Sequence, residues 1–158
     1  MAQQWNKAFY DKIVAEIKQT VIDDCLKLMY ETMQDMVYKT VYNEYSPTQY
    51  IRRYDSNGGL GDIGTYDFEI DNVNSNGFVL RMYSNATGNE NYNGNLVDEP
   101  IDECIVEGDK YSWEDSGIYK AQPYPRDFYK ATLDSLIDNG LLYGILIDKL
   151  KSKGINIK

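Results

Sequence analysis

Residues 4–43 read QWNKAFYDKIVAEIKQTVIDDCLKLMYETMQDMVYKTVYN, and this stretch decides the fold. An apolar residue recurs at every fourth position from Trp5 to Val41, and neither Gly nor Pro occurs before Pro47. Apolar residues at spacings of three and four are typical of an amphipathic helix, and a proline disfavours helix in the residue before it. The sequence therefore predicts one long helix within residues 1–44.

The predicted helix is longer than a chain of this size is wide. A helix of ~38 residues spans ~57 Å, whereas a compact chain of 158 residues has a diameter of ~40 Å. Four residues turn ~400°, so the apolar row winds by ~40° at each step and different stretches should meet different neighbours. We expect part of the helix to project and to pack on another subunit. Two shorter helices with a kink near Asp23 and Asp24 are the alternative.

Residues 45–63 predict an ordered turn, because a proline and a glycine cluster break regular structure there. Within it, the stretch Gly59–Gly64 satisfies the pattern GxGxxG. The dinucleotide-binding fingerprint needs a strand before this pattern and a helix after it. Here a long helix precedes the pattern and an alternating segment follows, so we interpret the glycines as turn residues.

The following segment, residues 64–97, predicts a small antiparallel sheet. Apolar and polar side chains alternate over residues 65–71, the stretch 72–77 is rich in turn residues, and an apolar run follows at 78–83. This order is typical of a β-hairpin with one solvated face. A polar, asparagine-rich loop at 84–95 is expected to be mobile.

Residues 98–158 predict a helical C-terminal part. A short helix should begin with Asp98 as its N-cap and Pro100 in its first turn, and should end at Gly108. A second helix should open at Pro125 or Arg126 and stop or bend at Asn139 and Gly140, before a last helix over about 141–153. The order of helix, strands and helices predicts an α+β fold in a single domain over residues 1–158.

Composition favours assembly over catalysis. The formal net charge is −9 and the chain has no histidine. An acidic chain is poorly suited to wrap nucleic acid, and the lack of histidine excludes His-dependent triads and HExxH zinc sites. Fifteen tyrosines provide side chains that can pack and hydrogen-bond at interfaces. We therefore expect a protein that is not an enzyme and that needs no cofactor or metal.

Sorting signals and membrane segments are not predicted. The N-terminus has no apolar core of a secretory signal, and no stretch approaches the ~18 consecutive apolar residues of a membrane span. Cys25 and Cys104 fit a reduced state in which each is a small apolar side chain. A disulfide between them is the alternative.

Two further patterns resemble a calcium site and an acid–base pair, but each has a simpler explanation. Residues 89–94 mimic the start of an EF-hand loop, but they offer asparagines, and Pro100 falls where calcium needs a bidentate Glu. Glu99 and Glu103 have the spacing of a carboxylate pair on a helix, which could serve acid–base chemistry. With 25 acidic residues in the chain, such pairs arise by chance.

The acidic residues concentrate in the middle of the chain. Residues 61–117 carry thirteen carboxylates against Arg81 and Lys110. A negative segment of this kind suits a head-to-tail contact between identical subunits, or a face that repels DNA. A solvated acidic face is the alternative. If the segment lines a DNA channel, the channel-facing carboxylates should be Asp67, Glu69 and Asp71.

Several short motifs are spread along the chain. They are Tyr45-x-Pro47-x-x-Tyr50-x-Arg52-Arg53, Gly59-Leu60-x-Asp62, Val106-Glu107-Gly108, Pro125-Arg126-Asp127-Phe128, and Leu150 with Gly154. Together they resemble the signature of a family of tailed-phage neck proteins, known as tail-component, tail-completion or head–tail joining proteins. The order of elements also resembles that family over nearly the full chain. The fourth motif departs from it, because the family has Arg-Pro-Phe and here the proline is displaced.

The resemblance implies a non-enzymatic virion component. The resemblance implies a homo-oligomeric ring, with a hexamer expected, at the neck where the tail meets the capsid. Its partners would be the connector or head-closure protein and the tail tube or tail terminator, with genomic DNA passing through without sequence-specific binding. It would be made in the host cytoplasm and would end in the virion. The rival hypothesis is a small acidic DNA mimic that inhibits a nucleic-acid-binding enzyme.

The candidate assembly residues combine the apolar row with these motifs. They are Trp5, Phe9, Ile13, Ile17, Tyr45, Pro47, Tyr50, Arg52, Arg53, Tyr54, Leu60, Asp62, Arg126 and Phe128. The tyrosines and the proline would anchor the turn. The two arginines would pair with acidic groups, on the next subunit or within the chain at Asp55 or Asp62, since the guanidinium group suits bidentate pairs.

Overall fold

The computed structural model describes residues 7–44, 53–88, 100–108 and 124–155. Its elements are a long N-terminal helix, a two-stranded antiparallel sheet and C-terminal helices, which confirms the α+β prediction. The chain forms two compact units. The first comprises Met1–Met29, Phe68–Met82 and Leu136–Lys158, and the second Tyr30–Asp67 and Tyr83–Ser135. That the whole chain is one domain remains a prediction.

The N-terminal helix is continuous over residues 7–42. It consists of α1 (Lys7–Thr20), a π-helical turn (Val21–Cys25), α2 (Leu26–Val37) and a second π-helical turn (Tyr38–Tyr42). The prediction of one long helix is confirmed. The first π turn contains the two aspartates at which the alternative placed a kink, and there the chain changes its hydrogen-bond pattern without leaving the helix.

The π turns correct the winding of the apolar row. The N–H of Leu26 bonds to the carbonyl of Val21, and the N–H of Asn43 bonds to that of Tyr38, so each bond spans five residues instead of four. A π turn therefore holds one more residue than an α turn and sets the row back against its drift. The row remains buried along its second half, at Cys25, Met29, Met33, Val37 and Val41.

The core of the first unit joins the N-terminal helix to the sheet and to the end of the chain. Cys25, Met29 and Leu136 form its buried centre. Partly buried side chains pack around them: Val21, Leu80, Met82, Leu142, Ile145 and Leu146. Cys25 and Cys104 are not joined by a disulfide. The last helix is also held by polar contacts, since Lys149 Nζ lies 2.7 Å from Asp24 Oδ1 and Lys153 Nζ donates to Thr20 Oγ1 at 2.9 Å.

The hairpin consists of β1 (Tyr66–Asn74) and β2 (Gly77–Ser84). The turn is shorter than predicted, because the strands continue into the stretch 72–77 and leave only residues 75 and 76 between them. The side chain of Asn74 explains this tight turn, since its Oδ1 accepts the N–H of Asn76 at 2.8 Å. Of the loop predicted at 84–95, residues 89–95 lie outside the described part.

The short helix α3 (Asp102–Glu107) begins four residues after the predicted N-cap. Pro100 is not in its first turn, because it forms an isolated antiparallel bridge with Thr87, and the next residue donates its N–H to the carbonyl of Ala86 at 3.1 Å. The predicted end is confirmed. Gly108 follows the helix with a φ of 71°, a left-handed conformation that favours glycine.

The C-terminal helices are α4 (Phe128–Asp138) and α5 (Leu141–Ser152). Helix α4 begins after the predicted Pro125 or Arg126, because Asp127 caps it by accepting the N–H of Lys130 at 2.8 Å. The predicted interruption is confirmed, since Gly140 adopts a φ of 64° between the two helices.

Candidate assembly site

The motif Gly59-Leu60-Gly61-Asp62, here called the GLGD turn, is fixed to the C-terminal part of the N-terminal helix. The N–H of Gly61 donates to the Tyr42 hydroxyl at 2.9 Å. That hydroxyl donates in turn to the carbonyl of Tyr54 at 3.1 Å, and Gln34 Nε2 donates to the carbonyl of Gly61 at 2.6 Å. Side chains of the helix therefore satisfy buried and partly buried backbone groups of the turn.

Both glycines of the GLGD turn allow a close approach. A Cβ at Gly59 would lie 2.4 Å from the carbonyl oxygen of Tyr54. A Cβ at Gly61 would lie 3.2 Å from both the Tyr42 ring and that same oxygen. The glycines thus serve the packing of backbone against backbone and of backbone against an aromatic ring, which supports their interpretation as turn residues.

Asp62 closes the GLGD turn with its carboxylate. Its Oδ2 accepts the N–H of Gly58 at 3.0 Å, and its Oδ1 accepts the N–H of Gly64 at 2.9 Å. Its backbone carbonyl accepts the Thr65 hydroxyl at 2.8 Å. A carboxylate that accepts backbone N–H groups before and after itself fixes the chain reversal that leads into β1.

Leu60 is 2% exposed, and its carbonyl accepts the hydroxyl of Tyr66 at 2.9 Å. Both residues lie in the second unit, which also buries Met33, Val37, Val41, Ala86 and Phe128. Burial, above all, raises the pKa of the Tyr66 hydroxyl. The structure thus gives Leu60 and Asp62, two predicted assembly residues, contacts inside their own unit.

Three tyrosine rings support the turn, and two of them, Tyr38 and Tyr42, are not among the predicted assembly residues. The rings of Tyr38 and Tyr42 meet edge to face with centroids 5.0 Å apart, and Tyr54 lies 5.2 Å from Tyr42. Burial and, next, the Asp55 carboxylate raise the pKa of Tyr38. The signal that could have identified the missed pair is their spacing of four residues at the end of the apolar row, directly before the tyrosine motif.

Arg53 connects the GLGD turn region to the segment after β2. Its Nη1 donates to the carbonyl of Asn57 at 3.2 Å, and its Nη2 donates to the carbonyl of Thr87. The carboxylate partners expected within the chain are engaged elsewhere, Asp62 with backbone N–H groups and Asp55 with Tyr38. Pairing of Arg53 with an acidic group of another subunit remains a prediction.

The motifs around Gly108 and Phe128 lie against each other. A Cβ at Gly108 would lie 2.4 Å from the backbone nitrogen of Pro125, so only glycine permits this approach. The N–H of Arg126 donates to the carbonyl of Ile105 at 2.9 Å, and Phe128 is completely buried. The guanidinium of Arg126 stands 5.8 Å from the centroid of the Tyr124 ring. Two stretches that resemble the same family are thus in direct contact.

Tyr129, which is not among the predicted assembly residues, is a half-buried hydrogen-bonding centre of the second unit. Its hydroxyl donates to Asp102 Oδ2 at 2.7 Å and accepts the N–H of Ser84 at 2.8 Å. Burial raises the pKa of Tyr129, and the bond to the Asp102 carboxylate raises it further. No sequence signal marked it, because its partners lie 27 and 45 residues away along the chain.

The three acidic candidates lie on the solvated face of β1, as the alternation predicts. Asp67 and Glu69 are exposed, whereas Tyr66 on the opposite face is buried. Asp71 forms an ion pair with Arg81 of β2. The strand therefore presents its carboxylates together on one surface, and whether that surface faces a channel remains a prediction.

The first described turns of the N-terminal helix leave aromatic surface uncovered. Phe9 is 37% exposed and Tyr10 is 44% exposed, and their rings meet edge to face. Ile13 and Ile17 are half-buried. The remaining candidates, Trp5, Tyr45, Pro47, Tyr50 and Arg52, lie outside the described residues.

The described part of the chain has neither a membrane-spanning helix nor a cluster of metal-binding side chains. None of its helices is both long and apolar enough to cross a membrane. Within the same residues, no three carboxylate or thiol side chains come together in a way that could hold a metal ion.

Comparison with known proteins identifies the family. No curated protein and no solved structure matches the chain. The model of the YomN family matches residues 3–152, which is nearly the whole sequence. The match therefore covers the long helix, the GLGD turn, the hairpin and both C-terminal helices, and the chain belongs to the YomN family, a Bacillus phage-derived protein family.

Proposed function

We propose that this phage-associated protein is a structural, non-enzymatic component of the head–tail interface, where copies of it form a ring, as a hexamer in keeping with the neck proteins it resembles. The observation that carries the proposal is its membership of a phage-derived family over residues 3–152, together with the neck-protein motifs. Its partners are the connector or head-closure protein on one side and the tail tube or tail terminator on the other. Genomic DNA passes through the ring.

The contacts of the motifs support this role. The GLGD turn is held by Tyr42 and Gln34, and Gly108 packs on the segment that leads to Phe128. Motifs that make intramolecular contacts of this kind specify a rigid subunit, and a rigid subunit suits an assembly in which each copy must present the same surface to the next. The exposed Phe9 and Tyr10 offer apolar area that a neighbouring copy can cover.

The decisive experiment is a proteomic and imaging test of particles. Particles of a phage that encodes this chain are purified and their proteins identified by mass spectrometry, and a deletion of the gene is imaged by electron microscopy. We expect the chain in the particles, and we expect the deletion to leave filled heads and free tails that fail to join. Absence of the chain from particles, or normal virions from the deletion strain, would contradict the proposal.

The DNA-mimic hypothesis finds less support. Mimicry needs a continuous surface of carboxylates, and the acidic face of the hairpin is interrupted by Arg81, which forms an ion pair with Asp71. Size measurement of the chain in solution separates the two hypotheses. A stable monomer favours an inhibitor of an enzyme that acts on nucleic acid, whereas self-association favours a ring-forming component.

A further inference from the structure

The outer edge of β2 carries backbone groups that no third strand pairs within the part of the chain that the structure describes. The N–H of Asn85, the residue after β2, bonds to the carbonyl of Thr65, the residue before β1, at 2.8 Å, so the pairing of the hairpin continues one step beyond the two strands. Bonded and non-bonded pairs alternate in an antiparallel ladder, so the N–H and C=O groups of Leu80 and Met82 point away from β1. No backbone hydrogen bond joins those groups to another described element.

An edge of this kind is suited to pairing with another chain. Unpaired N–H and C=O groups in a row are a template for an additional strand, and a two-stranded sheet alone is marginally stable. The solvated face of the hairpin also exposes apolar side chains, with Val73 at 52% and Val79 at 41%. Pairing with a further strand would cover part of the unpaired backbone edge and part of this exposed apolar surface.

The charges on the solvated face indicate which strand fits. In β1 that face presents Glu69 and Asp71, whereas in β2 it presents Arg81. Pairing of β2 with β2 of a second copy would place two like charges side by side, which is destabilising. Pairing of β2 with β1 of a second copy would place Arg81 beside carboxylates, which is favourable.

We infer that the outer edge of β2 binds β1 of a second copy of this chain, with Arg81 beside the partner's acidic face. Because two different edges meet, the contact is heterologous and repeats from copy to copy until the rotation between copies closes a ring. The inference rests on the proposed function, since a ring is the assembly that it requires, and it assigns the hairpin as the element that joins neighbours.

A mixing experiment with charge-reversed full-length variants tests this contact. Arg81→Glu places a carboxylate at the β2 edge, and the double variant Glu69→Arg, Asp71→Arg places cations on β1. In each variant alone, every contact between copies joins like charges, so we expect the assembled fraction to fall at least tenfold against the unchanged chain. In an equimolar mixture each contact again joins opposite charges, so we expect assembly to return. Sedimentation velocity at micromolar to millimolar concentrations measures the assembled fraction.

Mixing separates the contact between copies from damage within the hairpin, because a second chain cannot repair a broken ion pair inside the first. Lys39→Glu is the control, since it reverses a charge in an exposed ion pair of the helix and should leave assembly unchanged. An unchanged chain that stays monomeric throughout, or a mixture that stays dissociated, would overturn the inference. Particles that contain the chain while neither variant alters assembly would overturn the edge pairing and leave the proposed function standing.

Discussion

Gly59 shows how the absence of one side chain shapes the turn between helix and sheet. A Cβ at Gly59 would lie 2.4 Å from the carbonyl oxygen of Tyr54 and 3.0 Å from the backbone carbonyl carbon of Arg53. Both are backbone atoms, so they cannot move aside as the end of a flexible side chain can. A methyl group there can be accommodated only if the turn moves away from residues 53 and 54. This movement would strain the hydrogen bonds that join the Tyr42 hydroxyl to Tyr54 and to Gly61.

Gly59→Ala should lower the free energy of unfolding by about 1–3 kcal/mol, the range for overpacking a buried site. Gly144→Ala is the matched control, because it adds the same methyl group in α5, where nothing beyond the adjacent residues and the backbone of the helix itself lies within 4 Å of it. In the helix interior alanine is favoured over glycine, so the control should gain about 0.5–1 kcal/mol. Urea unfolding monitored by circular dichroism measures the free energy of unfolding of both variants. Equal effects of the two substitutions would contradict the packing argument.

Tyr129 is a second residue with a measurable role. Tyr129→Phe removes the hydroxyl and leaves the carboxylate of Asp102, which is 8% exposed, and the N–H of Ser84 without this partner. Loss of a buried hydrogen-bond partner should lower the free energy of unfolding by about 1–3 kcal/mol. Tyr143→Phe, at a position that is 65% exposed, should change it by less than about 0.5 kcal/mol. Urea unfolding of the two variants measures these changes. An unchanged midpoint for Tyr129→Phe would disprove the stabilising role of the Tyr129 hydroxyl.

The hydroxyls of Tyr66 and Tyr129 predict a loss of stability in alkaline solution. Burial raises the pKa of Tyr66 and of Tyr129 in the folded chain above the ordinary value of 10.0. The unfolded chain therefore loses these protons first, and the stabilisation that is complete below pH ~10 falls as the pH rises above it, by up to ~1.4 kcal/mol per pH unit for each tyrosine. Unfolding at several pH values from 9 to 12 should show this slope, and Tyr129→Phe should reduce it.

At the scale of elements, the contact of α4 and α5 with the N-terminal helix gives the first unit its core. Leu136 lies at the end of α4, is 5% exposed, and packs with Cys25 and Met29. Its neighbour Ile137 is 66% exposed. Adjacent residues of similar size therefore differ almost completely in burial, as the helical period requires.

Leu136→Ala should lower the free energy of unfolding by about 2–4 kcal/mol, because it removes buried methyl groups and leaves a cavity. Ile137→Ala, which removes a similar side chain one position further along, should change it by less than about 0.5 kcal/mol. Thermal and urea unfolding of the two variants provide the comparison. A similar loss in both would show that Leu136 has no special place in the core.

The order and type of the elements could be predicted from the sequence because they depend on local patterns. Spacing of four residues marked the long helix, and alternation marked β1. The π turns could not be predicted, since an apolar residue at every fourth position does not reveal a hydrogen bond that spans five. The start of α3 was misplaced because Pro100 pairs with Thr87, a contact between residues thirteen positions apart that no local signal encodes.

At the scale of the whole molecule, the candidate site was predicted in part. Leu60, Asp62 and Phe128 were predicted as assembly residues, and because their described contacts lie within the chain, a role between subunits remains a prediction. Tyr42, Gln34 and Tyr129 were missed because their roles depend on partners that folding brings together. A single sequence shows which residues are unusual, whereas intramolecular and intermolecular roles differ only in the three-dimensional arrangement.

The exposed aromatics of the N-terminal helix provide the prediction at this scale. Phe9→Ser combined with Tyr10→Ser should weaken self-association, because less apolar area is then available for a neighbour to cover. The free energy of unfolding should change by less than about 1 kcal/mol, as expected for exposed positions. Sedimentation velocity and urea unfolding test the two statements, and unchanged association would show that this surface is not an interface.

The π-helical turn at Val21–Cys25 has a consequence for how the gene can vary. Elsewhere in a helix, loss of a single codon rotates everything beyond it by ~100° and exposes the buried face. Here one amino acid is surplus to an ordinary α-helical path, so loss of Asp23, whose side chain is exposed, would restore plain helix and keep both flanks in phase. Relatives shorter by one residue at this point could thus share the same architecture.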